Sequence, residues 1–297
     1  MPDIRLFRRA DRHQLTDLVN AHLGAVAPGW AISSAALLAS LEWDPAQYVT
    51  DPWVRGRHTL VCVVDGRIVG AVHLRRYGTE PEVSADYCSA GEVAWFVFWP
   101  DHTDAAAELL DAALVVLARE GTRRVFADGG FPTPISYGVP DAWPHVAAVL
   151  STTGFVPDPA CTEMLLTKEL RSHPTPGADF DPYRLTRTVG VHGTRFSASL
   201  ADGSVGHVEV IENLTRGGAL MALAGWAEIA ELDVAETADE SVADVLLEAA
   251  TRWLLQTGVR NVLAAVGADE HGDFARLHRH GWRTLTVVQR GWKLHEG

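Results

Sequence analysis

The stretch 226–255 changes its pattern of apolar positions part-way along. In residues 226–234, β-branched and apolar residues alternate with acids, which predicts a strand with one irregularity. From Ser241 onward, apolar residues recur every three and four positions, which predicts an amphipathic helix. A strand that runs directly into a helix N-terminus points backbone N–H groups at an anion. We therefore expect an anion-binding loop between the two elements, with Asp239 or Ser241 as the helix N-cap.

The first 170 residues show similar patterns in a longer order. Two apolar runs, 59–64 and 68–74, flank Asp65-Gly66, a pair that favours a β-hairpin because both residues tolerate a positive φ. We expect the strand at 162–169 to close this sheet. The other patterns predict strands at 4–8, 91–99 and 123–127 and helices at 11–23, 33–42, 104–120 and 145–152.

Residues 171–181 carry two prolines and a glycine and are typical of a linker. Beyond them the order partly repeats, without the two helices between the first and second strands. The sequence thus predicts a mixed α/β protein of two domains, 1–170 and 183–297, joined by a linker at 171–182. The repeated patterns are strands at 184–188, 194–200, 205–211, 261–266 and 284–294 and a helix at 273–280.

The composition narrows the possible partners. The chain has 297 residues, 47% of them hydrophobic, which is enough for a core in each of two domains. Its formal net charge of −13 argues against nucleic acids and anionic membranes as partners and suits a cationic small molecule. The three cysteines form no CxxC pair, and no signal-peptide or membrane-spanning segment is evident, so we expect a cytoplasmic monomer or homodimer. Lysine is rare beside arginine, which we attribute to genomic bias.

The loop and the helix after it fit a known pattern. Val234 ends the strand, Leu246 and Leu247 form a leucine pair, and Ala238, Ser241 and Ala243 take the positions between them. This frame, together with the order of elements, resembles the Gcn5-related N-acetyltransferase (GNAT) superfamily. The family usually has Arg or Gln and then Gly where this chain has Ala238 and Ser241. The resemblance implies two tandem GNAT-fold domains, the second lacking its first two helices.

The resemblance also implies acetyl-CoA as a co-substrate. In that family the backbone of the fourth strand pairs with the pantetheine arm, and N–H groups at the following helix bind the phosphates. In the first half, Val97 and the pair Leu109-Leu110 match the pattern, and we prefer the second half because its strand is longer and cleaner. The implied cofactor-binding residues are Leu232, Asp233, Val234, Ala238, Asp239, Glu240, Ser241, Val242 and Ala243.

Acetyl transfer to an amine needs a base that removes a proton from the ammonium group. Glu228 and Glu231 on the predicted fourth strand are the candidates, and the alternative is that both are solvated surface acids. The family's usual acid is a tyrosine four residues before a Gly-aromatic turn. Leu277 and Leu150 take that position here, so neither half has it.

The segment 127–146 is rich in glycine, proline and aromatic residues, and long loops of this kind are often functional. It forms either a substrate wall or an ordered structural loop. We expect His278 and His280 to be surface residues, because side chains two positions apart on a helix diverge. We expect no metal site. The candidate substrate residues in the loop are Asp128, Tyr137, Asp141, Trp143 and His145.

Together these features favour an acyl-CoA-dependent N-acyltransferase, most simply an N-acetyltransferase acting on a small, cationic amine. Two alternatives remain open, since the phosphate loop departs from the family pattern. The protein could bind or sequester a small molecule without transferring an acetyl group, or it could catalyse another reaction in the inherited cleft. Phosphate-loop, nucleophile-elbow and zinc-protease motifs do not occur.

Overall fold

The computed structural model describes residues 2–42, 51–127, 137–171, 180–201, 203–212, 225–236, 238–239 and 241–295. The elements of the first half lie within a few residues of the predicted ones, except for two short strands at 139–140 and 155–156 that were not predicted. They are β1 (Asp3–Leu6), α1 (Arg12–Val26), α2 (Ser34–Glu42), β2 (Val54–Val64), β3 (Arg67–Tyr77), β4 (Ala90–Phe98), α3 (Thr103–Arg119), β5 (Arg124–Phe126), β6 (Val139–Pro140), α4 (Pro144–Thr152), β7 (Phe155–Val156) and β8 (Thr162–Glu169).

The second half repeats this order without the two early helices, as predicted, since β9 leads directly into β10. Among the described residues, no helix is both long and apolar enough to cross a membrane. The elements are β9 (Arg184–Val189), β10 (Thr194–Leu200), β11 (Gly203–Ile211), β12 (Trp226–Val234), α5 (Ser241–Gln256), β13 (Asn261–Gly267), α6 (His271–Arg279), β14 (Arg283–Gln289) and β15 (Lys293–Leu294).

The two sheets exchange strands, which the sequence analysis did not predict. The first sheet has the order β1-β2-β3-β4-β5-β15-β7, and the second has the order β6-β14-β8-β13-β12-β11-β10-β9. The expectation that residues 162–169 close the first sheet was therefore wrong, because β8 lies between β13 and β14 of the second. The single strand predicted at 284–294 is two strands that belong to different sheets. The sheets thus do not follow the predicted division into 1–170 and 183–297.

The hairpin between β2 and β3 is confirmed. Val64 pairs with Arg67, and Asp65 and Gly66 between them have φ angles of 50° and 77°. Glycine adopts such angles without steric cost, and aspartate tolerates them better than most residues. The local sequence therefore determined this connection.

Each half has its own core, and the first half also covers part of the second sheet. Leu263 of β13 and Leu165 of β8 are fully or almost fully buried in the core that contains α1 to α4. Trp226, at the start of β12, meets the edge of Trp30, which follows α1, with ring centroids 5.5 Å apart. The first half therefore packs on the face of the second sheet where the two helices are missing.

Candidate functional site

Strand β12 contains a bulge followed by a split from its neighbour. Glu209 of β11 pairs with Glu231, but the next residue, Val210, pairs with Ile229, so Ala230 is an extra residue. The parallel pairing of β12 with β13 covers only residues 226–229. Beyond the bulge, β12 keeps β11 as its partner and diverges from β13. The backbone groups of the predicted cofactor residues Leu232, Asp233 and Val234 on that side are therefore available to an extended ligand.

A cavity of about 270 Å³ lies beside this split. Strands β12, β13 and β8 form its floor, α5 forms one wall, and the turn after α6 forms the other. His280 in that turn lies 2.6 Å from Asp244 of α5, so a hydrogen bond joins the two walls. His280, which was expected at the surface, is 28% exposed and lines the cavity. Other lining residues are Lys168, Ile229, Leu247, Glu248, Thr251 and Val262.

The first half has the same bulge and split. The register shifts at Ala94, and β4 pairs with β5 only over residues 90–92. Every residue of β4 is buried. The indole Nε1 of Trp143 donates to the carbonyl oxygen of His22 at 3.0 Å, and Trp143 is buried. Trp143 and residues 93–96 of β4 line a cavity of about 20 Å³, room for about one water molecule.

The loop before α5 already holds an anion, which is the side chain of Asp239. Its Oδ1 accepts the backbone N–H of Ser241 at 2.8 Å, and this hydrogen bond lowers the pKa of Asp239. The N–H of Ala238 donates to Ala235, and that of Val242 donates to the carbonyl of Asp239. Asp239 therefore caps the helix, and a phosphate bound here would compete with its carboxylate.

The other predicted phosphate-loop residues differ in exposure. The hydroxyl of Ser241 lies 2.9 Å from that of Tyr183. Val242 and Ala243 are both buried, and Val242 belongs to the apolar core of the second half. Glu240 lies outside the described residues. A ligand at this loop would therefore meet backbone groups and Ser241, while the side chains of Val242 and Ala243 support the helix.

The candidate bases Glu228 and Glu231 lie on one face of the sheet because the bulge separates them. Glu228 pairs opposite Ile211 and Leu263, both of which contact the first core. Glu231 is 42% exposed, and its Oε2 lies 3.1 Å from Nε2 of His207 on β11. Both carboxylates therefore face away from α5, toward the side that the first half partly covers.

Comparison with solved structures shows which known fold this arrangement matches. The tandem GNAT protein from the clavulanic acid biosynthesis pathway matches with a TM-score of 0.64 at 16% identity, over 99% of this chain and 98% of its own. A GCN5-related N-acetyltransferase from Sphaerobacter thermophilus matches with a TM-score of 0.65 at 14% identity, over 100% of this chain and 96% of its own. The chain has the tandem GNAT fold. No protein-family model and no curated protein matches its sequence.

The second half of this tandem GNAT fold contains a polar network that the sequence analysis missed. Glu209 is fully buried and accepts hydrogen bonds from the Nε of Arg195 and the N–H of His192. A second nitrogen of Arg195 lies 3.6 Å from Glu231. His207, Glu209 and Glu231 offer three possible metal ligands within 4.8 Å of one another, but Arg195 already supplies positive charge there. The alternation of polar residues along β10 and β11 was the available signal.

The predicted substrate loop contacts two different parts of the tandem GNAT fold. The guanidinium of Arg290 lies 5.3 Å from the ring of Tyr137, and the hydroxyl of Thr286 donates to Asp141 at 2.5 Å. Trp143 and His145 instead contact α1 of the first half. The structure therefore does not gather these residues around one cavity, and Asp128 lies outside the described residues. Their role in substrate binding stays a prediction.

The contact with α1 includes a histidine pair, of which His22 is buried and His145 is half-buried. The Nε2 atoms of His22 and His145 are 3.1 Å apart. Burial lowers the pKa of His22 to about 4 and also lowers the pKa of His145. Both imidazoles are therefore neutral at pH 7, which allows one Nε2–H to donate to the other Nε2.

Proposed function

We propose that the protein is an acyl-CoA-dependent N-acyltransferase that moves an acetyl group to the amine of a small molecule. The observation that carries the proposal is the open cavity of about 270 Å³ beside the bulged, split strand β12. In the first half, the cavity that the described residues form beside the equivalent strand β4 is about 20 Å³, with Trp143 in its lining. We therefore place the cofactor in the second half.

In this proposal the pantetheine arm pairs with the free backbone edge of Leu232, Asp233 and Val234. The diphosphate lies at the N-terminus of α5, where the helix dipole favours negative charge. Asp239 has to release the N–H of Ser241 when the phosphate binds. The phosphate then replaces the carboxylate of Asp239 at the N–H of Ser241, so the helix keeps its cap.

Glu228 and Glu231 face the side from which an acceptor would arrive. We propose that one of them takes the proton of the attacking ammonium, either directly or through one water. His207 beside Glu231 can share that proton. The formal net charge of −13 favours a cationic acceptor over an anionic one.

Titration calorimetry with acetyl-CoA tests the proposal when it includes two matched variants. Thr251 lines the second-half cavity, so Thr251→Trp should fill it and weaken binding at least about tenfold, since a ligand has to displace the indole. Leu114 has the equivalent position in α3, five residues after the first leucine of the pair. Leu114→Trp should leave the affinity unchanged, with thermal melting used to confirm that both variants fold.

Three outcomes are informative. Loss of binding in Thr251→Trp alone supports the second half as the cofactor half. Loss in Leu114→Trp alone assigns the cofactor to the first half and overturns the placement. Absence of binding by the unmodified protein at millimolar acetyl-CoA contradicts the transferase proposal.

One observation favours a second candidate function, a binding protein that does not use CoA. Asp239 occupies a backbone donor that a phosphate would need, and the nearby acid Asp244 is bound to His280. If acetyl-CoA does not bind, a thermal-shift screen of cationic amines is the next experiment. Stabilisation by an amine in the absence of CoA would support this candidate.

A further inference from the structure

Lysine is used at only two positions in this chain. Of 25 basic residues other than histidine, only Lys168 and Lys293 are lysines, and the rest are arginines. Each lysine lies on an exchanged strand, Lys168 on β8 and Lys293 on β15. Genomic bias explains why lysine is scarce. It does not explain why a lysine remains at position 168, on the floor of the second-half cavity.

Lys168 pairs opposite Val262 of β13, so its side chain lies on the floor of the cavity beside the split in the sheet. It is half-buried. Its ammonium group has no hydrogen bond and no ion pair with any residue that the structure describes. The acid that acts on the charge of Lys168 is Glu248 of α5, and it accepts a hydrogen bond from Nε of Arg252 at 2.8 Å. The positive charge of Lys168 is therefore incompletely compensated.

Two opposing effects act on the charge of Lys168. Burial lowers its pKa, and the carboxylate of Glu248 raises it, with burial the larger effect. The other titratable groups lining the cavity are Asp244 and His280, which bind each other at 2.6 Å. An arginine stays charged in any such environment, whereas a lysine can lose its proton and become a nucleophile. The residue type therefore matters at this position.

We propose that Lys168 is an internal acyl acceptor, which takes the acyl group of an acyl-CoA bound in the second-half cavity. This inference rests on the proposed function, because the donor is the acyl-CoA of that function. The neutral amine attacks the thioester carbonyl, a C–N bond forms and the C–S bond breaks. The amine proton passes to the departing thiolate, so the products are an amide on Lys168 and free CoA.

The product has consequences for the cavity. The amide carries no charge, and the acyl group occupies space beside Ile229 and Val262. Acylation is stable under ordinary conditions, so each protein molecule reacts once. Self-acylation therefore removes the ionisable amine of Lys168 from the cavity and narrows the cavity.

The test is site-resolved mass spectrometry after incubation of the whole protein with isotope-labelled acetyl-CoA. Lys293 is an internal control, since it is an exposed lysine on the other exchanged strand. We expect acetylation at Lys168 to exceed that at Lys293 by at least about tenfold, because a bound donor raises its local concentration at the cavity wall. Thr251→Trp, with its cavity filled, should lose the acetylation of Lys168.

Calorimetry on the same samples separates the possible failures. Binding of acetyl-CoA with label on Lys168 supports the inference. Binding without label there, or with equal label on Lys293, overturns the inference and leaves the proposed function standing. No binding and no label overturns both. Lys168→Arg should abolish the added acetyl group, and if that variant does not fold, the ratio of Lys168 to Lys293 in the unmodified protein decides.

Discussion

Replacing Glu209 with glutamine should destabilise the second half, because this carboxylate is the centre of a buried polar network. Glu209 is 0% exposed, and it accepts the N–H of His192 at 2.8 Å, the N–H of Val191 at 3.2 Å and the Nε of Arg195. The first two donors belong to the tight turn between β9 and β10. The carboxylate therefore fixes that turn to β11.

The magnitude follows from the three donors. A glutamine has one oxygen and one NH₂ group, so its buried NH₂ group faces at least one other donor. An unsatisfied buried group costs about 1–3 kcal/mol, and the loss of charge in the remaining hydrogen bonds adds roughly 1 kcal/mol. We expect Glu209→Gln to lower the free energy of unfolding by about 2–4 kcal/mol, or the melting temperature by roughly 5–10 °C.

Differential scanning calorimetry measures this change, and Asp233→Asn is the matched control. Asp233 is 67% exposed and lies 3.7 Å from Nδ1 of His207 on the same sheet, so its ion pair should contribute less than about 1 kcal/mol. If Glu209→Gln lowered the free energy of unfolding by no more than Asp233→Asn does, the reasoning would be refuted. Gly190→Ala should resemble Glu209→Gln, since a Cβ at Gly190 would collide with the Glu209 carboxylate.

Two further predictions concern catalysis and pH. Glu231→Gln should lower kcat by about 10²–10⁴-fold with acetyl-CoA affinity unchanged if Glu231 is the base, and the same loss in Glu228→Gln instead would assign the base to Glu228. Because the folded-state pKa of His22, about 4, lies below the ordinary value of 6.5, its contribution to stability is complete above pH 6.5 and is lost as the pH falls from 6.5 toward 4. His22→Phe should flatten the plot of melting temperature against pH between pH 4 and 6.5. An unchanged slope there would contradict the assignment of this pH dependence to His22.

Elements defined by local patterns were predictable from the sequence. The change of period at Ser241 identified β12, its loop and α5, and Asp65-Gly66 identified the hairpin of β2 and β3. In both cases the residues that determine the structure lie within one short segment. The mixed α/β fold and the missing pair of helices followed from the order of such segments.

The sheet in which a strand lies depends on residues far away in the sequence. Strand β8 has the same alternating pattern whether it pairs within the first sheet or with β13, so its exchange left no local signal. Lys168 was missed as a cavity residue for that reason, and His280 was missed because its contact with Asp244 joins residues 36 positions apart. Trp143 was named as a substrate residue from composition alone, and the structure places it beside β4 of the first half, where it contacts His22.

The exchange of strands also governs how this protein can be made. Domains generally fold one after another as the ribosome releases the chain. Here the first sheet keeps a gap between β5 and β7 until residues 293–294 have been synthesised, and those residues supply the missing β15. The second sheet contains β8, which is synthesised before every other strand of that sheet except β6. The two halves therefore complete their folding together, and a premature stop codon before Lys293 would leave the earlier half unfinished as well.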